Sequence, residues 1–225
     1  MTQDPKLLIF DFDGVLVDSE YLAVRAEQRV LSEAGFEMTE DDIANSFVGR
    51  SYPDMFAILE ERFGKPVPEE LGERIQREAV ASFPTELQAI DGMKDLLTGS
   101  SEARCIATSS PADRLDLSLD VAGLRSFFKP EALFLAEYVE HGKPAPDLFL
   151  YAADHMGFPP ERCIVIEDSF HGVTAAIAAQ MDVVAFTAGK HMRPPMVERL
   201  KTVGATKLAA SAAELEGCLD ELLAK

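Results

Sequence analysis

Apolar residues recur along the chain with two different periods. Short continuous apolar runs, typical of buried parallel strands, occur at Lys6–Phe10, Ala103–Thr108, Cys163–Glu167 and Asp182–Thr187, with a weaker run at Glu131–Leu135. Helical spacing instead dominates between about residues 19 and 83. From Gly92 onward strand and helix signals alternate, as expected for a parallel sheet with crossover helices.

Capping residues and breakers set the limits of the predicted helices. Ser19 is placed to cap the first helix and Gly35 to end it. Ser110 is predicted to cap a later helix that has Pro111 at its first position. The other predicted helices cover Thr39–Phe47, Tyr52–Phe63, Pro68–Phe83, Pro111–Val121, Pro146–Met156 and Ser169–Ala179, and a capping box at Ser211 opens the last one.

These patterns predict an α/β protein with a Rossmann-like parallel sheet core and an inserted helical bundle. The first strand must join a sheet that is made mostly by the C-terminal half of the chain. We expect residues 1–17 and 89–225 to form the core and residues 18–88 to form the insertion.

Two acidic residues follow the first predicted strand. Ligands of open α/β sheets bind beyond the carboxyl ends of the strands, so Asp11 and Asp13 are expected at the rim of a site. In an extended segment, residues two apart point to the same side, and both carboxylates can then face one substrate. A turn or a helix cap remains the alternative for such a pair on its own.

Three later segments add polar groups at the ends of strands. Thr108 and Ser109 precede a helix N-terminus, which is a natural anion site, although simple capping is an alternative. Lys143 stands just before a proline-initiated helix; an exposed, solvated lysine is the competing interpretation. Glu167 and Asp168 end the strongest apolar run. If they face Asp11 and Asp13, the four carboxylates would repel one another strongly without a cation.

Charge and cysteine usage narrow the class of partner. A net charge of −18 argues against nucleic acid and anionic membranes, and an anionic substrate would need a local positive centre such as a metal ion. No apolar run approaches the roughly 18 residues of a membrane span. The three cysteines lack metal-type spacing, and no secretory signal opens the sequence, so we expect free thiols in a cytoplasmic protein.

Taken together, the segments Asp-Phe-Asp-Gly-Val-Leu-Val-Asp-Ser, Lys-Pro-Ala-Pro-Asp and Ile-Glu-Asp-Ser resemble the motifs of the haloacid dehalogenase superfamily. The resemblance covers essentially the whole chain and is to the phosphatases with a helical cap after the first strand. It implies a hydrolase acting on phosphoric monoesters. The expected substrate is a small phosphorylated metabolite of the sugar-phosphate class. We expect a monomer, with a dimer as the alternative.

The same resemblance assigns roles to the residues. Asp11 would be the nucleophile that forms an aspartyl phosphate, and Asp13 the general acid and then the base. Thr108 and Ser109 would hold phosphoryl oxygens, and Lys143 would neutralise the charges of Asp11 and of the phosphoryl group. The cofactor would be Mg²⁺, bound by Asp11, the carbonyl group of Asp13 and Asp168, with Glu167 binding directly or through water. On the cap, Arg50 is a candidate substrate contact or a surface partner of Asp54, and Glu20, Tyr21 and Phe47 are weaker candidates.

Two alternatives stay open. A β-phosphoglucomutase-type isomerase shares the core and cap, but its expected cap histidine and arginine align with Ala23 and Tyr52, which favours hydrolysis. A non-enzymatic phospho-acceptor module of the response-regulator kind also combines acidic residues, threonine and lysine on a parallel sheet. Such modules lack a helical insertion after the first strand and usually carry the acceptor aspartate on a later one.

Overall fold

A single parallel sheet forms the centre of the computed structural model, which describes residues 5–48, 51–205 and 207–224. Within these residues the sheet has six strands in the order β3-β2-β1-β4-β5-β6. The strands are β1 (Leu7–Phe10), β2 (Ala103–Thr108), β3 (Leu133–Leu135), β4 (Cys163–Glu167), β5 (Asp182–Phe186) and β6 (Lys207–Ala209).

The first strand lies in the middle of the sheet. Leu7 is in register with Ala103 on one side and with Cys163 on the other. All four residues of β1 are buried, and alternate side chains enter two different apolar cores. Leu8 and Phe10 face one core, whereas Leu7 and Ile9 face the other. This burial on both faces explains the continuous apolar run in the sequence.

Helices pack on both faces of the sheet, and four more are inserted between β1 and α5. The inserted helices are α1 (Ser19–Glu33), α2 (Glu40–Phe47), α3 (Tyr52–Phe63) and α4 (Leu71–Glu86), followed by α5 (Met93–Gly99), α6 (Ala112–Val121), α7 (Asp147–Met156), α8 (Phe170–Ala178), α9 (Pro194–Val203) and α10 (Ala212–Leu223). The α/β fold class with a parallel, Rossmann-like core is confirmed. Among the described residues, none of these helices combines the length and apolarity that crossing a membrane requires.

The inserted helices enclose an apolar core of their own. Its buried side chains include Val24, Phe36, Ile43, Leu59 and Ile75, all of which lie between β1 and α5. This separate core is consistent with an inserted unit, while the exact limits 18–88 stay a prediction.

Two predicted helix caps are wrong. Asp18 occupies the N-cap position of α1 and Pro111 that of α6, so Ser19 and Ser110 each lie one position away from their expected place. Both hydroxyls bond to Asp13 instead. Elsewhere capping follows the sequence pattern, because Thr39 forms a capping box with Asp42 and the Ser211 hydroxyl accepts the N–H of Glu214 at 3.1 Å. Helices α5 and α9 and strand β6 carry no signal that the sequence analysis used.

Glu27 on α1 is half-buried, and its Oε2 atom is buried without a hydrogen-bond partner among the described residues. Burial, assisted by the nearby Glu20 carboxylate, raises the pKa of Glu27 to about 8. The unfolded chain releases this proton near pH 4. Folding stability contributed by the bound proton is therefore lost progressively as the pH rises from about 4 to about 8.

Glu27→Gln should remove this pH-dependent loss of folding stability. We expect the variant and the unmodified protein to unfold at similar denaturant concentrations near pH 4.5, and the variant to be more stable by roughly 1–3 kcal/mol at pH 8.5. Urea titrations at both pH values measure the difference. Glu61→Gln, at an exposed position of α3, is the matched control and should show no pH-dependent gain; a Glu27→Gln curve parallel to that of the control would contradict the assignment.

Candidate active site

A cavity of about 420 Å³ opens at the carboxyl ends of the central strands. The loops after β1, β2 and β4 line it, together with side chains of the inserted helices. Seven of the eight principal site residues from the sequence analysis lie on its wall, namely Asp11, Asp13, Thr108, Ser109, Lys143, Glu167 and Asp168. The eighth, Arg50, lies outside the described residues.

Three carboxylates form a buried acidic cluster. Asp11, Glu167 and Asp168 each offer one oxygen, and these oxygens lie within 4.8 Å of one another. Asp11 and Asp168 are 7% and 6% exposed, and Glu167 is fully buried. Three acids so close together in a dry environment repel one another unless cations neutralise them. The all-oxygen donor set fits a hard divalent cation such as Mg²⁺.

Lys143 supplies one of the neutralising charges. Its Nζ donates to Asp11 Oδ1 at 2.5 Å and to Glu167 Oε2 at 2.7 Å, and only 6% of the side chain is exposed. Burial alone would lower the pKa of Lys143, but the carboxylates of Asp11 and Glu167 outweigh that effect and raise it. The lysine is therefore charged and buried, and the solvated-lysine interpretation is wrong.

The two carboxylates that hold Lys143 differ in their surroundings. Glu167 Oε1 accepts the backbone N–H groups of Asp168 at 3.0 Å and Ser169 at 2.9 Å. Burial favours the neutral acid, yet Lys143 and the N–H of Ser169 together lower the pKa of Glu167. Burial and the charge of Glu167 raise the pKa of Asp11, with Lys143 opposing the rise. Glu167 is thus anchored as an anion, whereas Asp11 is the more basic carboxylate.

Asp168 contacts a histidine that the sequence analysis did not select. His191 Nε2 lies 3.1 Å from Asp168 Oδ2, and both side chains are almost fully buried. Burial raises the pKa of Asp168 to about 7, although the hydrogen bond from His191 opposes the rise. Burial would lower the pKa of His191, but Asp168 raises it. No motif marks His191, which comes after β5 and far from the acidic loop in sequence.

Asp13 is held by three side chains. Ser19 Oγ donates to Asp13 Oδ1 at 2.5 Å, Ser110 Oγ donates to Oδ2 at 2.5 Å, and Arg114 Nη2 donates to Oδ1 at 2.8 Å. A hydroxyl group can donate or accept a hydrogen bond, so both serines can stay bonded to Asp13 in either protonation state. Arg114 can only donate and favours the carboxylate. The sequence analysis missed these three partners.

The loop after β2 brings the helix α6 N-terminus to the cavity. Thr108 is 1% exposed, and its Oγ1 accepts the N–H of Ser110 at 3.0 Å. Ser109, by contrast, is exposed and lines the cavity. Backbone N–H groups at the start of a helix attract anions, and here they lie beside the acidic cluster.

The inserted helices contribute Glu20, Val48 and Gln76 to the cavity wall. Glu20 was a weaker candidate of the sequence analysis, and Gln76 was not selected. Phe47 lies in the apolar core of the insertion, and Tyr21 packs against the main core. Within the described part of the chain, neither of these two lines the cavity.

The comparisons with known proteins bear on the whole chain. The family model of the haloacid dehalogenase-like hydrolases matches residues 8–186. The chain belongs to this family. It is 30% identical over 196 residues to 6-phosphogluconate phosphatase of Escherichia coli (strain K12), covering 87% of this chain and 88% of that protein. The family resemblance inferred from the sequence motifs is confirmed.

Solved structures of two family members are similar over nearly their full length. A conserved haloacid dehalogenase-like protein of unknown function from Agrobacterium tumefaciens superposes with a TM-score of 0.92 at 32% identity, covering 97% of this chain and 99% of that one. A hydrolase of the family from Deinococcus radiodurans, with bound phosphate and sodium, superposes with a TM-score of 0.85 at 32% identity, covering 97% and 96%.

Gly14 makes the close approach of the acidic loop to Asp168 possible. Its φ is +78°, and a Cβ atom there would lie 1.9 Å from Asp168 Oδ2. Gly157 has almost the same φ, +77°, but no heavy atom lies within 4 Å of the corresponding Cβ position. The two glycines therefore separate the effect of backbone strain from that of steric overlap.

Gly14→Ala should destabilise the protein more than Gly157→Ala. Backbone strain at a positive φ costs about 1–2 kcal/mol in both variants, and overlap with Asp168 should add at least ~1–2 kcal/mol to the first. Urea unfolding of the two variants at one pH measures the difference. Equal losses of stability would show that the loop moves away from Asp168 at no cost.

Proposed function

We propose that the protein is a Mg²⁺-dependent phosphatase that hydrolyses a small phosphorylated metabolite, a sugar phosphate, through an aspartyl-phosphate intermediate. The placement of Lys143 carries this proposal. A buried ammonium group 2.5 Å from Asp11 and 2.7 Å from Glu167 keeps positive charge beside a carboxylate at the floor of an open cavity. A phosphoryl group entering there meets a nucleophile and a fixed cation together.

Asp11 is the proposed nucleophile. One of its carboxylate oxygens attacks phosphorus, and the bond between phosphorus and the leaving oxygen breaks, so the product alcohol departs and Asp11 carries the phosphoryl group. Lys143 Nζ lies 2.5 Å from Asp11 and stabilises its carboxylate form, which is the form that attacks. Lys143 and the α6 N-terminus offset the charge on the phosphoryl oxygens, with Thr108 shaping the loop and Ser109 at its exposed end.

Asp13 is the proposed general acid and base. It gives a proton to the leaving oxygen in the first step and takes one from water in the second, when water attacks phosphorus and the bond to Asp11 breaks. The hydroxyls of Ser19 and Ser110 hold both of its oxygens throughout. Because a hydroxyl can donate to the carboxylate and can accept from the acid, both serines can stay bonded to Asp13 in either protonation state.

Asp11, Glu167 and Asp168 would hold the metal ion, with the carbonyl group of Asp13 as a further ligand. When bound, Mg²⁺ supplies positive charge that offsets the cluster of carboxylates and the phosphoryl oxygens. Lys143 alone leaves two of the three clustered negative charges uncompensated, which is the reason to infer a second cation beside it.

The cavity wall opposite the acidic cluster favours a leaving group rich in hydroxyls. Glu20 and Gln76 come from the insertion and Arg114 from the core. These three side chains combine hydrogen-bond acceptors and donors, and Val48, Met196 and Leu200 add apolar surface to the same cavity. The printed name of the Escherichia coli relative, 6-phosphogluconate phosphatase, supports a phosphorylated sugar derivative as the substrate class.

The first experiment is a phosphate-release assay on a panel of sugar phosphates that includes β-glucose 1-phosphate and 6-phosphogluconate. Release with Mg²⁺, its loss in EDTA and a fall of at least ~10³-fold in kcat for Asp11→Asn are expected. Asp95→Asn, at an exposed position of α5, is the control and should keep its activity.

Other outcomes of this assay identify the competing functions. Conversion of β-glucose 1-phosphate to glucose 6-phosphate with little free phosphate would indicate a mutase. A stable phosphoprotein without turnover would indicate a phospho-acceptor module. Hydrolysis that persists in Asp11→Asn would overturn the assignment of the nucleophile.

Gln76→Leu tests the role of the insertion in substrate choice. Loss of one hydrogen bond to a sugar hydroxyl should lower kcat/KM for the preferred sugar phosphate by up to about 10-fold. The value for p-nitrophenyl phosphate, which has no hydroxyl chain, should change little. Gln28→Leu, on α1 outside the cavity lining, is the matched control. A uniform loss across substrates would point to a structural role of Gln76.

A further inference from the structure

His191 is a buried histidine that the proposed chemistry does not use. It is 1% exposed, Nε2 lies 3.1 Å from Asp168 Oδ2, and Nδ1 has no hydrogen-bond partner among the described residues. Burying a ring nitrogen without a hydrogen-bond partner costs free energy, so the buried position of this imidazole calls for an explanation.

The ring lies in a slot that two glycines keep open. A Cβ atom on Gly14 would lie 2.9 Å from His191 Cε1, and one on Gly189 would lie 2.6 Å from it. Any side chain at either position would displace the imidazole. The walls of the slot come from the acidic loop after β1 and from the loop after β5, and Asp168 closes its end.

The loop that carries His191 is fixed by contacts other than Asp168. Its Lys190 N–H donates to Asp18 Oδ1 at 3.0 Å, and Lys190 Nζ lies 3.1 Å from Asp18 Oδ2. Two residues beyond His191, Arg193 Nε donates to Asp41 Oδ1 on α2 at 2.8 Å. The loop therefore places the imidazole independently of the acidic cluster, and the carboxylate of Asp168 has to orient itself to the ring.

His191 is not placed as a ligand itself. Among the described residues, the group whose potential ligand atoms all lie within 4.8 Å of one another consists of Asp11, Glu167 and Asp168 and does not include His191. The imidazole contacts this group from one side, through a single oxygen of Asp168. This arrangement is that of a partner that orients a metal ligand, and such partners are worth about 10- to 100-fold in metal affinity.

We propose that His191 is a positioning residue that fixes the orientation of the Asp168 carboxylate for the metal ion. The inference rests on the proposed function, because it assigns His191 a role towards the metal of that site. Nε2 donates to one carboxylate oxygen and so sets the direction in which the other faces. The hydrogen bond matters for metal affinity, whereas the bulk of the ring does not.

Three substitutions separate the hydrogen bond from the bulk. His191→Gln places an amide nitrogen near the position of Nε2, His191→Asn is too short to reach Asp168, and His191→Leu fills space without a donor. Calorimetric titration with MgCl₂ in the absence of substrate should give a Kd raised roughly 10- to 100-fold for the leucine and asparagine variants. The glutamine variant should stay within about threefold of the unmodified protein.

Mn²⁺ titration followed by electron paramagnetic resonance gives a second readout that does not depend on turnover. His155→Leu, on the exposed face of α7, is the control and should bind both metals normally. Thermal unfolding of each variant shows whether it is folded, and the asparagine variant replaces the leucine variant if the latter is not.

The outcomes distinguish the inference from the proposal on which it rests. Unchanged Mg²⁺ affinity in the leucine and asparagine variants, or equal weakening in the glutamine variant, would overturn the role of His191 and leave the metal site standing. Failure of the unmodified protein to bind Mg²⁺ would instead overturn the proposed function and the inference with it.

Discussion

The buried ion pair between Lys143 and two carboxylates is the interaction on which the candidate site depends. Removing an ammonium group and two carboxylates from water costs several kcal/mol per ion, and only close mutual contact offsets that cost. Lys143 meets the condition because it reaches Asp11 and Glu167 at once, while backbone N–H groups satisfy the remaining oxygen of Glu167. The strands β1 and β4 that carry these acids are neighbours in the sheet, so the pairing of strands and the pairing of charges support each other.

Around this centre, other carboxylates also have partners from other segments of the chain. Asp13 is held by the start of α1 and by α6, Asp168 by the loop after β5, and Asp18 by the same loop. The insertion is joined to that loop through Asp41 and Arg193. The site is thus a network of pairs between segments, and its geometry follows from the fold more than from any local motif.

Local patterns in the sequence were sufficient for the elements of the core and for the residues at the ends of strands. Apolar runs predicted β1, β2 and β4 to within a residue, because strands buried on both faces leave a strong signal. Acidic residues, lysine and threonine at those strand ends were selected because the ends of parallel strands converge. The family resemblance then supplied roles that the spacing of residues alone did not.

What the sequence analysis missed involves contacts between distant segments. Serine is a preferred helix N-cap residue, and for this reason Ser19 and Ser110 were predicted as caps. Their hydroxyl groups instead donate hydrogen bonds to Asp13. Arg114 contacts Asp13 across 101 positions, and His191 contacts Asp168 from a different loop. Neither residue belongs to a local motif, so no periodicity or spacing marks it. Strand β6 is only three residues long and only one of them is fully buried, so its apolar signal is weak.

The central position of β1 also affects how the chain is made. Leu7 pairs with Ala103 and Cys163, so β1 leaves the ribosome well before its partner strands are translated. At about 5–20 residues per second, the second partner follows after roughly ten seconds or more. The inserted helices have their own apolar core and can fold during that interval. A nascent chain of this protein therefore exposes the apolar strand β1 until both neighbouring strands have been made.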